Sequence, residues 1–443
     1  MMVDKKCLTV LKRGVKYWNK WRKRDRYLQL DLRGINLSGE ILLGINFAGV
    51  NLAGAILIKC NFCGANFDGA DLTGANLSEA NLSGVSLCGV NLTGAILVGT
   101  NYRGAESTSS NWSLADLTGA DLRVIDFARA ELSGANFIGA NLNGANFTSA
   151  NLTRANLQLA QLEGANFNHA NLVQANFTSA NLTSVNLKHA NLSEANLTKV
   201  KLAKTNLTQA DLTEANLSEA NLIQADVTGA NLTQANLAQA DLTGANLSQT
   251  NLTQADLTGA NLSQTNLTQA DLILAKAWNT NFNQSILTGA CLENTKIDER
   301  TSFAQVICQY LYKNHARQQR LPENQQDSLS SSDFKTMLQD LMDAVEVTFN
   351  EDINWRIMLA AFESLQQKYQ SHKIHLKSVE ANANYRFVVK IQVKPSTKTA
   401  AIAQSFRQEY NLLALAKQNF ATPKDIQREQ KIKQELSKSY KQN

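Results

Sequence analysis

The hydrophobic residues of this chain recur every five positions over most of its length. From Leu32 to Ile297 almost every fifth residue is Leu or a close apolar substitute. The residue two positions before it is usually Ala, and the residue directly before it is Asn or Asp, so the consensus is A-(N/D)-L-(S/T)-(G/Q/E). This period fits neither the 3.6-residue turn of a helix nor the two-residue alternation of a strand. A chain that turns a corner after each unit would keep every Leu inside.

The consensus resembles that of the pentapeptide-repeat family over residues 31–300. The resemblance implies a mainly β fold, a right-handed quadrilateral parallel β-helix in which four units form one coil. About 13 coils stacked at a strand spacing of ~4.8 Å would make a rod roughly 65 Å long. The central Leu would fill the axis, the Ala would lie inward, and the Asn or Asp would bond neighbouring backbone.

Equivalent positions recur after four units, so the residue numbers predict which side chains stack. Phe127, Phe147 and Phe167 should lie above one another, and Phe47 and Phe67 should form a second stack on the same side. The same register places Cys60 inward and Cys63 outward. This lone CxxC pair is therefore not predicted to bind a metal or to do redox chemistry.

The repeat departs from its consensus between Ala105 and Trp112. The centre of one unit becomes Ser107 and that of the next becomes Trp112, although the five-residue phase survives. We predict a bulge or kink here. Ser107 and Trp112 are candidate partner-binding residues, and the alternative is tolerated decay in a long array.

A second departure is basic and falls within about one coil. Lys199, Lys201 and Lys204, preceded by Lys188 and His189, interrupt an otherwise acidic array. Lys199, Lys201 and Lys204 are candidate partner-binding residues for an anion or nucleic acid, and a solvated patch is the alternative.

Residues 1–30 are predicted to form a basic amphipathic helical cap on the rod. Leu8, Leu11, Val15 and Trp18 recur at three- and four-residue spacing, as on one face of a helix. The outward residues would be basic, namely Lys12, Arg13, Lys16, Lys20 and Lys23. A basic amphipathic helix is also typical of a membrane-surface element, so both interpretations remain open.

After the repeat, residues 301–332 read as a polar linker, 333–420 as a small α+β domain and 421–443 as a charged helical tail. The spacing predicts helices from Phe334 to Phe349, from Trp355 to Tyr369 and from about Lys398 to Ala416. A strand from Tyr385 to Val393 would turn back on Ile374 and Leu376. This order resembles the C-terminal extension of cyanobacterial pentapeptide-repeat proteins, a resemblance that brings no known activity.

The charge of the chain is divided among these regions. The net charge of +5 splits into about +8 for residues 1–30, −9 for 31–300 and +6 for 301–443. Six cysteines are scattered without a disulfide framework, which is typical of a reducing compartment. The N-terminus lacks the apolar run of a secretion signal, and no window is apolar enough for a membrane span, so we expect a cytoplasmic protein.

The sequence predicts no enzyme. The five histidines are scattered, and no phosphate-binding glycine loop, zinc-ligand spacing or nucleophile elbow occurs. No cofactor, metal or small-molecule substrate is expected. The predicted function is a non-catalytic protein-binding scaffold or spacer, with homo-oligomer formation through the C-terminal region as a further expectation.

The alternative function is a DNA-mimicking regulator of a topoisomerase or another DNA-binding protein, as in family members that imitate duplex DNA. A duplex roughly 65 Å long carries about 38 negative charges. The rod's net charge is about −9, which argues against this alternative. Neither nucleic acid nor membrane is expected as a partner.

Overall fold

Parallel hydrogen bonds between residues 20 apart in sequence organise most of the chain. A computed structural model describes residues 5–24, 30–330, 332–334, 337–338, 344–349, 354–369, 374–381, 387–392 and 399–416. Two units are distinguished, residues 1–329 and 330–443. In the first, Asp31 pairs with Asn51, and the pattern runs through to Asp271 and Cys291. This is a four-sided parallel β-helix.

Each coil has four walls of five residues each. In the first coil, wall I begins at Asp31, wall II at Asn36, wall III at Ile41 and wall IV at Asn46, and later coils repeat this order. Adjacent coils are joined by pairs of backbone bonds, such as Leu32 N to Asn51 O at 2.8 Å. The walls are thus short parallel strands, each reduced to a single bridge per coil.

The corners between walls are tight turns. Ile35 N donates to Leu32 O at 3.1 Å, and Gly34, the third residue of this turn, has φ +65°. The same position at Gln234 has φ +60°. A positive φ at the third residue is the hallmark of a type II turn and costs a residue other than glycine about 1 kcal/mol. The last consensus position therefore carries a backbone constraint that its outward, polar character does not reveal.

The core follows the sequence register. Phe127 and Phe147 stack with ring centroids 5.3 Å apart, and Phe147 and Phe167 stack at 4.5 Å. Phe47 and Phe67 lie 5.5 Å apart. The predicted aromatic stacks are confirmed.

The Asn or Asp before each centre closes the turn that follows it. Asn51 Oδ1 accepts the backbone N–H of Ala53 at 3.0 Å. Such side chains also bond along the wall, as Asn136 Nδ2 does to Asp116 Oδ1 at 3.1 Å. These side chains therefore bond neighbouring backbone, as predicted.

The N-terminal segment forms two helices, α1 (Lys5–Leu11) and α2 (Val15–Arg24), rather than the single predicted one. Gly14 lies between them with φ +95°, a conformation that ends α1 and that L side chains rarely adopt. The amphipathic spacing of the sequence continues across this break, so the hydrophobic pattern does not reveal it.

Helix α2 lies against the first coil. Trp18 is fully buried, its Nε1 donates to Asn46 O at 2.7 Å, and its ring meets Phe47 edge-on at 5.4 Å. Asn19 Oδ1 accepts Asn46 N–H at 2.8 Å, and Arg22 Nη2 donates to Ala48 O. Side chains of α2 thus occupy backbone groups that no preceding coil can pair, which protects an exposed strand edge.

The other end of the rod differs from the prediction. Asn281 bridges to Ser302 and Cys291 to Tyr312, a separation of 21 residues instead of 20. Strands β1 (Leu311–Tyr312) and β2 (Arg320–Leu321) then form an antiparallel hairpin. Residues 301–329, predicted as a linker, therefore form the last coil and a terminal hairpin, because one additional residue shifts the register and hides the repeat.

The unit of residues 330–443 contains a three-stranded antiparallel sheet in the order β3–β5–β4, with β3 (Ala344–Phe349), β4 (His375–Ala381) and β5 (Phe387–Gln392). Helices α3 (Trp355–Lys368) and α4 (Thr399–Ala416) contact each other, and α4 contacts β3.

The sheet and helices of this unit share a core. Its buried residues include Val347, Met358, Phe362, Leu365, Val389, Ile391, Ile402 and Phe406.

The predicted helix from Phe334 to Phe349 is wrong over its second half. Residues Ala344–Phe349 form β3, in which Val347 is buried and pairs with Val389. The alternation of apolar and polar residues in Val345–Phe349 fits a strand as well as a helix end, and pairing to β5 decides between them. Tyr385, Val393 and the tail 421–443, all named in the sequence predictions, lie outside the described residues.

Candidate protein-binding surfaces

The break between Ser107 and Trp112 lies inside the rod rather than on its surface. Both side chains are fully buried, and Trp112 Nε1 donates to Ser107 Oγ at 2.9 Å and to Ser110 Oγ at 2.7 Å. The bridges Ser86 to Glu106 and Asn91 to Asn111 continue without interruption. The predicted bulge is therefore wrong, because the small Ser107 leaves room for the indole at the next centre. Neither side chain is therefore accessible at the surface of the rod.

The indole also joins the aromatic core. Trp112 contacts Tyr102 and Phe127 edge-on, with ring centroids 5.3 and 5.2 Å apart. Complete burial raises the pKa of Tyr102 well above its ordinary value. Tyr102 Oη is a buried polar atom without a hydrogen-bond partner, which is a local cost to stability.

The structure distributes the three candidate lysines over two walls. Lys199 lies at the corner between walls II and III. Its Nζ is 3.4 Å from Oε2 of Glu219, the equivalent corner residue one coil further on. Lys201 and Lys204 lie on wall III, and all three side chains are exposed. An exposed ion pair of this kind contributes little to stability. Lys201 and Lys204 therefore share wall III, and Lys199 belongs to wall II, where it lies beside Glu219.

An apolar surface that the sequence analysis missed lies on wall II in the first half of the rod. Ile56, Ile96 and Val98 point outward and are 40, 42 and 37% exposed. Leu114 and Leu159, at the corners on either side of wall II, are 68 and 57% exposed. The consensus has Asn and Ser or Thr at the outward wall positions, so the signal was available as apolar residues at polar positions of the repeat.

Negative charge is concentrated on wall I. Over residues 31–300 this wall carries eight carboxylates against two arginines, whereas the carboxylates of walls II, III and IV are nearly balanced by lysines and arginines. The carboxylates of wall I are Asp31, Asp71, Glu131, Glu194, Asp211, Glu214, Asp271 and Glu293.

Three further findings concern chemistry and membranes. Among the described residues, no group of three or more His, Cys, Asp or Glu is arranged to hold a metal ion. Within the same residues, no helix is both long and apolar enough to cross a bilayer. Cys60 is buried and Cys63 is exposed, as the register predicted, and all six cysteines are free thiols.

Comparison with protein families gives a direct result for the rod. Eight overlapping matches to the family model described as pentapeptide repeats together cover residues 30–104 and 130–299, more than half of the chain. The chain belongs to the pentapeptide-repeat family. Its repeats imply a right-handed quadrilateral β-helix, in agreement with the four walls, and members of this family are in general structural or binding proteins rather than enzymes.

Solved structures of pentapeptide-repeat proteins are similar to parts of this chain. HetL, involved in heterocyst differentiation regulation in the cyanobacterium Nostoc sp. strain PCC 7120, is 28% identical over 61% of this chain and 93% of its own, with a TM-score of 0.20. Rfr23 from the cyanobacterium Cyanothece 51142 is 34% identical over 26% of this chain and 83% of its own, with a TM-score of 0.15.

A third similar structure is QnrB1, a plasmid-mediated fluoroquinolone resistance protein. It is 14% identical over 62% of this chain and 91% of its own, with a TM-score of 0.20. No curated protein matches the chain.

Proposed function

We propose that this protein is a non-catalytic, cytoplasmic protein-binding scaffold whose rod contacts a protein partner through wall II. The observation that supports this most directly is the set of outward Ile and Val side chains at wall II positions where the repeat consensus has Asn or Asp and Ser or Thr. Exposed apolar residues at positions where a repeat prescribes polar ones are typical of an interaction surface.

The corners beside this wall favour close approach of a partner. Gly54 and Gly94 occupy the corners before the Ile56 and Ile96 units and Gly99 the corner after the second, so no side chain stands at these three corners. The corner after the Ile56 unit carries Lys59, whose Nζ pairs with Glu79 Oε2 one coil further on at 3.3 Å. Apolar burial at about 25 cal/mol per Å² would then supply much of the binding free energy. The second half of the rod is mostly polar on its outside and would act mainly as a spacer, although Trp278 on its wall II is 41% exposed.

The proposal is tested by returning wall II to the consensus of the repeat. Ile96→Asn with Val98→Thr, combined with Ile56→Asn, should preserve the fold, because Asn91 and Thr93 already form the equivalent hydrogen bonds in the same coil. A partner captured from the native host with the full-length chain is purified, and its Kd is measured by calorimetry. We expect binding to the wall II variant to be about tenfold weaker or worse.

A matched control is available on wall III of the first coil. Ile41 and Leu43 are 70 and 51% exposed, so Ile41→Asn with Leu43→Thr makes the same chemical change elsewhere. This variant should bind as the natural chain does. Equal binding by the wall II variant would show that the contact lies elsewhere, and absence of any reconstituted partner would contradict the scaffold.

DNA mimicry remains the alternative, and wall I is the surface that it would use. Its eight carboxylates fall far short of the charge of a duplex, which has one negative charge per about 1.7 Å. Clear inhibition of topoisomerase supercoiling by micromolar full-length protein would nevertheless replace the scaffold proposal with mimicry.

A further inference from the structure

The N-terminal helices present a dense cationic surface. Residues 5–24 contain nine Lys and Arg residues and no Asp or Glu. Six of the nine are exposed: Lys12, Arg13, Lys16, Lys20, Lys23 and Arg24. None of these six takes part in an ion pair recorded among the described residues. We call these six residues and Tyr17 the basic surface.

The orientation of α2 separates its two faces completely. Trp18 and Arg22 are buried against the first coil, where their side chains donate to the carbonyls of Asn46 and Ala48. Lys16, Lys20 and Lys23 follow one another at four- and three-residue spacing on the exposed side. The only exposed large hydrophobic side chain of the two helices is Tyr17, 59% exposed and next to Lys16.

This arrangement decides against the membrane-surface interpretation of the sequence. A helix that lies in a bilayer interface needs a free apolar face to bury. In α2 that face is occupied by the rod, and Trp18 has no exposed surface. The basic surface can therefore act only through its charges and through Tyr17.

The spacing of the charges fits a polyphosphate. The rise of ~1.5 Å per residue puts Lys16, Lys20 and Lys23 about 6 and 4.5 Å apart along the helix axis. Along the axis of a duplex, the phosphates of one strand advance by ~3.4 Å per nucleotide, and in an extended single strand the advance is larger. An exposed aromatic ring among such cations is the usual platform on which an unpaired base stacks.

We propose that the basic surface binds single-stranded nucleic acid, with Lys16, Lys20 and Lys23 on the phosphates and Tyr17 against a base. This proposal departs from the expectation, drawn from the sequence for the whole protein, that nucleic acid is not a partner. The proposal is independent of the protein partner assigned to wall II.

Fluorescence anisotropy of a labelled oligo(dT) with the full-length chain tests the proposal. We expect binding that weakens with salt, because each neutralised phosphate of a single strand contributes about −0.7 to the slope of log K against log salt. Lys16→Gln, Lys20→Gln and Lys23→Gln together should weaken binding at least tenfold at low salt and make this slope about 2 units shallower. Gln has nearly the helix propensity of Lys, so α2 is retained, which circular dichroism checks.

The rod offers a control with the same change in charge. Arg103→Gln, Arg129→Gln and Arg154→Gln, three exposed arginines of the rod, should leave oligo(dT) binding within about twofold of the natural chain, because they are outside both the basic surface and the candidate lysines. Tyr17→Ala should weaken oligo(dT) binding about fivefold or more, as the loss of one stacked base does, without changing the salt slope.

Three results would overturn the proposal. The first is no binding of oligo(dT) even at low salt. The second is an equal loss of binding in the rod triple variant, which would show a diffuse effect of net charge. The third is binding of phosphatidylserine vesicles by a chain that does not bind oligo(dT), which would assign the basic surface to membranes.

Discussion

The first half of the rod, residues 31–145, and the second half, residues 146–290, form the same coil from different residues. Glycine occupies 17 of the 23 corners between residues 34 and 144 but only 5 of the 29 between residues 149 and 289. All of these corners have the positive φ that glycine meets without strain. Glycine therefore avoids backbone strain at most corners of the first half, whereas most corners of the second half adopt the same positive φ with a strained, non-glycine residue.

The second half gains side-chain contacts in exchange. Gln234 Nε2 donates to Gln254 Oε1 at 2.8 Å, and Gln264 Nε2 donates to Gln284 Oε1 at 3.0 Å, one coil apart. These ladders of Gln side chains stand at corners of the second half, whereas the equivalent corners of the first half are mostly glycine and have no side chain. Outward Ile and Val side chains, by contrast, are concentrated in the first half. The proposed function accordingly assigns partner recognition to the first half and regular spacing to the second.

The cores differ in the same direction. The first half and the coils next to it contain buried aromatic centres such as Phe62, Tyr102 and Trp112, whereas the centres from Leu182 to Leu272 are all Leu apart from Val227. A uniform Leu core can be extended by duplication, and the segment 240–254 is indeed repeated at 255–269.

The largest expected effect comes from the irregular core. Trp112→Ala should destabilise the rod by about 3–5 kcal/mol, because it removes an indole packed between Tyr102 and Phe127 and leaves a cavity. Guanidinium unfolding followed by circular dichroism measures the change. Leu237→Ala in the uniform core is the matched control, with an expected loss of about 2–5 kcal/mol. A smaller loss for Trp112→Ala than for Leu237→Ala would show that the break is loosely packed.

The next effect addresses the corners themselves. Gly54→Ala, Gly74→Ala and Gly94→Ala together should cost about 3 kcal/mol, roughly 1 kcal/mol for each left-handed residue that loses glycine. An added Cβ at each of these positions meets no atom within 4 Å, so the cost is one of backbone conformation alone. Denaturant midpoints of the full-length chain measure it.

The second half supplies the control for this triple variant. Gln174→Ala, Gln234→Ala and Gln254→Ala occupy the same column of corners and keep a Cβ, so they remove only exposed ladder bonds such as that of Gln174 Nε2 to Glu194 Oε2. We expect a loss of about 1.5 kcal/mol, half that of the glycine variant, because three exposed side-chain bonds at roughly 0.5 kcal/mol each are removed. Equal losses in the two triple variants would mean that the glycines are not needed for conformation.

Much of the rod was predictable from its sequence because the constraint on the centre of each unit is hydrophobic. Burial fixes the five-residue period, the register and the Phe stacks, since a buried polar centre loses its hydrogen bonds to water. Ser107 is tolerated as a centre because Ser110 and Trp112 bond it inside the rod. Conformation at the corners was not predictable in this way. Gly34 and Gln234 both read as outward, polar positions, although each has a positive φ.

Other features depend on how particular residues fit or pair with one another, and the five-residue period contains no information on that. Trp112 fits because Ser107 is small, and the pattern shows only that both depart from the consensus. The last coil is hidden by one additional residue before Ser302. Strand Ala344–Phe349 continues a helix-like spacing, and only its pairing with β5 identifies it as a strand.

The smallest expected change in stability compares two contributions at the corner residue Gln254, its backbone strain and its side-chain hydrogen bond. Gln254→Gly should stabilise the rod by about 0.5 kcal/mol, because it relieves roughly 1 kcal/mol of left-handed strain at φ +60° and gives up one exposed hydrogen bond. Gln254→Ala loses the same bond without relief and should be neutral or slightly destabilising. Equilibrium unfolding of the two variants in parallel measures the difference. If Gln254→Gly is the less stable of the two, backbone strain is not what limits the stability of this corner, and the Gln side chain contributes more to it than its one hydrogen bond.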